Sequence, residues 1–138
     1  MPLIDLRWEG VMNLNPVSKT VFYFGFYEVS VGLLFAIAPA FGARVAGLEP
    51  GEMGLNLLRI IGLLACVFSY YYFRCGFAND LHFARYSIHG RMFLMVAFPI
   101  LSLSGILPMT LVGFGLVDFV GGLITWWAFR RNPHLQPG

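Results

Sequence analysis

Residues 53–73 read MGLNLLRIIGLLACVFSYYYF, an unbroken apolar run whose one charge is Arg59. At ~1.5 Å per helical residue such a run covers about 30 Å, the hydrocarbon thickness of a bilayer. Comparable runs occupy residues 20–45, 85–104 and 109–129. The separators Gly47-Leu48-Glu49-Pro50-Gly51, Gly76-Phe77-Ala78-Asn79-Asp80 and Gly105-Ile106-Leu107-Pro108 are turn material. Loops this short make consecutive helices antiparallel neighbours. The fold expected is therefore all-α, an integral membrane four-helix bundle.

The runs divide the chain into a cytoplasmic interfacial segment (residues 1–18), a four-helix transmembrane domain (19–131) and a cytoplasmic tail (132–138). In the first segment Ile4, Trp8, Val11 and Met12 recur at helical spacing, which predicts a short helix lying in the membrane interface. Asp5 and Glu9 beside Arg7 deprive that segment of the basic region a signal peptide needs.

Composition agrees with a bilayer as solvent. Apolar residues make up 58% and charged residues 12%, against about 25% charged in a soluble domain. The net charge of +2 comes from basic residues spread along the chain, which excludes nucleic acid as a partner. Cys66 and Cys75 lie nine residues apart, on opposite faces of a helix, and no C-x-x-C occurs. Thiol–disulfide chemistry of the vitamin K epoxide reductase kind is thereby set aside.

Orientation follows from the basic residues, which cytoplasmic loops retain. Arg7, Lys19, Arg74, Arg85, Arg91, Arg130 and Arg131 fall on one side, and Arg44 and Arg59 on the other. Both termini are thus expected in the cytoplasm. Aromatic residues crowd the same side, among them Phe24, Tyr70, Tyr71, Tyr72 and Trp126. They read either as an interfacial belt or as the wall of a pocket for a lipophilic ring.

Four ionisable residues fall within the apolar runs, one in each: Glu28, Arg59, Arg91 and Asp118. Each costs roughly 2.5–3.5 kcal/mol at mid-membrane, so such groups normally face a bundle interior and find partners. Gly25 and Gly32 flank Glu28, and Gly115, Gly121, Gly122 and Thr125 surround Asp118, so these helix faces can approach closely. Counting ~1.5 Å per residue from the cytoplasmic ends places Arg91 at ~9 Å, Glu28 at ~13 Å, Asp118 at ~18 Å and Arg59 at ~22 Å. The expected pairs are Glu28 with Arg91 and Asp118 with Arg59, in one buried polar cluster. His82 and His89 lack the spacing of a helix-borne metal centre, so no metal site is expected.

Gly32-Leu33-Leu34 leading to Pro39, Gly47-Leu48, Arg59-x-x-Gly62, and Asp118 before a helix ending at Arg130-Arg131 together resemble the small four-helix membrane proteins of the DoxX-like kind. The resemblance spans residues 21–131. It implies a multi-pass protein of the bacterial inner membrane, and it transfers no mechanism or cofactor.

Three functions compete. One is a bundle that binds a lipid or quinone-like molecule, or serves as an accessory subunit of a larger membrane complex or homo-oligomer. The second is a membrane-embedded enzyme in which Glu28 or Asp118 is general acid or base toward a lipophilic substrate. The third is a small proton-coupled transporter. A lipophilic ligand is expected in the cytoplasmic half, bounded by Glu28, His89, Arg91, Phe24, Tyr70 and Trp126. Carboxylates neutralised by arginine favour a structural role, and carboxylates left on a cavity wall favour chemistry.

Overall fold

The structure is a computed structural model that describes residues 13–137. Most of the interfacial segment expected over residues 1–18, with its short helix, lies outside them. The elements are α1 (Pro16–Ile37), α2 (Pro39–Ala46), α3 (Glu52–Phe77), α4 (Leu81–Leu103) and α5 (Thr110–Arg131), then a 3-10 turn (Pro133–Leu135). Four of these, α1, α3, α4 and α5, are long and apolar enough to cross a membrane. Their outward faces carry Ile60, Leu63, Val67, Val96 and Val120, all exposed. The chain is a multi-pass membrane protein.

Local chemistry sets the helix ends. Asn15 caps α1 by accepting a hydrogen bond from the Ser18 amide at 2.8 Å, with Pro16 in the first turn. Asp80 caps α4 in the same way through the Phe83 amide. The run expected as one helix over residues 20–45 is broken at Ala38, whose φ of −122° and ψ of 58° are not helical. Pro39 explains this, because it has no N–H for the ladder and disfavours the α conformation in the residue before it. The short α2 folds back to pack Ala43 and Ala46 against Phe35 and Leu58. It ends at Gly47, whose φ of 69° is a left-handed cap that suits glycine.

The helices pack as two pairs, α1 with α3 and α4 with α5. Small residues decide the first pair. Ser18, Gly25 and Gly32 on α1, and Gly62, Ser69 and Gly76 on α3, recur every seven residues and are all buried. Seven residues are nearly two turns, so each set forms a stripe along one face. Run antiparallel, the stripes meet: Gly62 lies on Gly32, and Ser69 Oγ donates to the Gly25 carbonyl at 3.0 Å. In the second pair Ala84 and Ile88 of α4 meet Ala128 and Phe129 of α5.

Helices α3 and α4, although joined by a tight turn, barely touch. Their facing sides carry Ile61, Leu64, Phe68, Phe93 and Leu94, with no stripe of small residues to admit a close backbone approach.

Arg59 departs from expectation. It is exposed, and its Nη1 donates to Asn56 Oδ1 at 2.7 Å. The packing face of α3 is centred on Leu58, Gly62, Ser69 and Gly76. At 100° per residue Arg59 lies about 60° from Gly62 and about 100° from Leu58, at the edge of that face. A long arginine stem there can reach outward along the helix. The predicted pair of Arg59 with Asp118 does not form.

Candidate functional site

The centre of the bundle is organised by Arg91, which is 2% exposed. Its stem lies beside Gly122 and its guanidinium beside Gly121 of α5, where an added side chain would run into the Phe24 ring 2.7 Å away. Its guanidinium stacks on the Phe24 ring at 3.8 Å and stands 5.1 Å from the centre of the Tyr72 ring. Arg91 Nη1 donates to Thr125 Oγ1 at 3.2 Å, and Nε lies 3.4 Å from the Tyr72 hydroxyl. Thr125 is fully buried and ties three helices together, since it also donates to the Gly121 carbonyl and lies 2.9 Å from the Thr20 hydroxyl. Arg91 Nη2 is buried with no hydrogen-bond partner among the described residues.

An arginine held this way is not neutralised by a direct carboxylate contact. The expected Glu28–Arg91 pair is replaced by bonds to neutral hydroxyls and aromatic faces. Glu28 and Asp118 instead line the space left between the two helix pairs. That space has two lobes of about 510 and 460 Å³. Both lobes are walled by Glu28, Ile61, Leu94 and Asp118, so the carboxylates sit where the lobes join. The larger lobe runs toward the end at which α1 starts and α5 finishes, past Arg91 to Tyr72 and Ser87. The smaller runs the other way, along Phe35, Leu48 and Phe114.

The larger lobe follows the α3–α4 seam. Gly90 lines it, and a side chain added at Gly90 would meet nothing within 4 Å. The seam is thus a mainly apolar cleft with Glu28, Arg91 and Asp118 on its wall, facing the side of the bundle.

The predicted site residues separate. Glu28, Arg91 and Asp118 come together, and Phe24 lies beneath the arginine. Arg59 and Tyr70 point away and are exposed. His89 and Trp126 line a different pocket, at the terminal end of α4 and α5. Tyr72, Ser87 and Tyr27 line the site although the residues expected to bound a ligand did not include them. Tyr72 could have been found, since it lies three residues beyond Ser69, on the small-residue face. Among the described residues, no three His, Cys, Asp or Glu side chains gather to hold a metal ion.

Fold and site together define a four-span membrane protein with a mainly apolar cleft between two helix pairs, whose wall carries Glu28, Arg91 and Asp118. No family model, curated protein or solved structure matches the chain.

Proposed function

We propose that this protein takes a lipophilic molecule from the bilayer into the α3–α4 cleft, and that Arg91 holds a carbonyl-type oxygen of its head, as in a quinone or an acyl lipid. The observation that carries this is Arg91 Nη2, a charged donor buried beside an apolar cleft without a partner. A buried donor left unsatisfied costs at least about 1–3 kcal/mol, and a ligand oxygen would recover that. Lobes of about 510 and 460 Å³ suit such a ligand, since small-molecule sites span roughly 300–1,000 Å³.

Gly90→Leu tests the route. Leucine there should occupy the cleft without clashing, and it should not lower stability, because glycine inside a helix is about 1 kcal/mol worse than alanine or leucine. Native mass spectrometry of the protein with a decyl-tailed benzoquinone should show retention by wild type and loss by the variant. Equal retention would place the quinone elsewhere.

A second reading is favoured by the position of Glu28 and Asp118 on the cleft wall, neither bonded to an arginine. We infer that one of them acts as a general base toward a carbon next to the bound carbonyl. Deuterium from heavy-water buffer should then enter a ketone probe at that carbon, and Glu28→Gln or Asp118→Asn should abolish entry while retention persists. Exchange that is equal in wild type and both variants would sink the acid–base reading and leave the binding one intact.

We also propose kinship with the DoxX-like proteins and an inner-membrane location with cytoplasmic termini. The support is the four spans and the basic residues Lys19, Arg74, Arg85, Arg130 and Arg131 at one end. A reporter fused after Gly138 should read cytoplasmic, and a periplasmic signal would reverse the orientation.

A further inference from the structure

At the terminal end of the α4–α5 pair lies a second pocket, of about 260 Å³, separate from the cleft in depth and in lining. Arg85 and His89 reach it from α4 and Arg130 from α5, while Gln136 and Pro137 of the tail close one side. The tail is held there by Arg85, whose Nη1 donates to the Pro137 carbonyl at 3.1 Å, and by Leu135, which packs on the core between the helices. Arg130 stacks over the Trp126 ring at 5.1 Å.

Among the described residues, no carboxylate lines this pocket. Two permanent guanidinium charges on different helices therefore converge on one space beside an imidazole that offers a further N–H. Ile88 and Phe129, both buried, form an apolar side. Each guanidinium has five donors, and a single carbonyl contact or ring stack leaves most of them available. A charge set of this kind is complementary to a phosphate oxyanion, which arginine binds in bidentate fashion. The apolar side and the Trp126 ring, at the end of two membrane-spanning helices, match the junction of headgroup and acyl chain.

We propose that this pocket binds a phosphate oxyanion, clasped by Arg85 and Arg130 with His89 as a third donor. Two sources carry that group at this depth, the headgroup of an anionic phospholipid and a soluble phosphate ester. The proposal is independent of the cleft, because neither arginine lines it.

The test compares wild type with the double variant Arg85→Gln, Arg130→Gln. Both side chains are exposed, so the fold should persist, and unchanged circular dichroism would verify that. In nanodiscs of equal parts phosphatidylcholine and phosphatidylglycerol, native mass spectrometry should show wild type retaining phosphatidylglycerol preferentially. The variant should lose roughly tenfold of that preference with its charge-assisted hydrogen bonds. In phosphatidylcholine nanodiscs, glycerol 3-phosphate is added and thermal unfolding measured. Stabilisation of wild type but not of the variant, without a lipid preference, would assign the pocket to a soluble ester. Identical behaviour of wild type and variant in both arms would overturn the proposal.

Discussion

Gly62→Ala is expected to unfold the α1–α3 pair at markedly lower temperature in detergent, by about 3 kcal/mol, near the upper end of ordinary overpacking penalties. The added methyl group would sit 2.6 Å from the Gly32 carbonyl oxygen and 2.8 Å from the Phe35 carbonyl carbon. These are backbone atoms of the facing helix and cannot rotate aside, so the two helices must separate. Separation would also stretch the Ser69–Gly25 bond along the same stripe. Gly113→Ala is the control, since nothing lies within 4 Å of its added carbon. It should leave stability unchanged or raise it by up to about 1 kcal/mol through helix propensity. Equal loss in both variants would show that glycine matters here for some reason other than the α1–α3 approach.

The second large effect is expected from Arg91→Met, which keeps an unbranched stem of similar length and removes every donor. Retention of the decyl-tailed benzoquinone per folded molecule should fall at least about tenfold, the equivalent of one lost charge-assisted hydrogen bond. Stability is set by two opposed effects. The variant forfeits the bonds to Thr125 and Tyr72 but no longer buries a charge. Arg91→Lys separates charge from geometry. A lysine restores the charge, but its ammonium cannot reproduce the planar fork that stacks on Phe24 and reaches Thr125 together. Intermediate retention is therefore expected. If Arg91 is only structural, Arg91→Met will lower the melting temperature while the folded fraction retains quinone normally.

Much of this architecture is written in single-helix patterns. Hydrophobic length placed all four spans, and helix ends are marked locally, by the side chains of Asn15 and Asp80 and by the left-handed backbone of Gly47. Pro39 was visible too, and its consequence, the break at Ala38, follows from backbone sterics. What was not legible is which face of a helix meets which neighbour. Arg59 and Gly62 are close enough on α3 to be assigned one face, yet the helix turns Gly62 inward and Arg59 outward. The seven-residue recurrence of Gly62, Ser69 and Gly76, with its counterpart Ser18, Gly25 and Gly32, carried the missing information. It needs both helices to be read at once.

The site was legible in its components and not in its pairing. Glu28, Arg91 and Asp118 were marked by the cost of charge in an apolar run. Depth along the helix suggested ion pairs, but depth says nothing of rotation about the axis. Arg91 is held by Thr125, Tyr72 and Phe24, which carry no charge and so give no warning of their role. The weak α3–α4 contact was hidden for a similar reason. A tight turn promises proximity at one end only, and bulky side chains such as Phe68 and Phe93 keep the remaining lengths apart.

If the α3–α4 cleft admits a lipophilic molecule and directs its oxygen to Arg91, a benzoquinone that carries a diazirine on its decyl tail should label it. Peptide mapping after photolysis should then find labels on the cleft-lining residues Ile61, Leu64, Gly90 and Leu94, and their loss on adding unlabelled quinone. Labels confined to outward residues such as Leu63, Val67 and Val96, with no competition by unlabelled quinone, would contradict it.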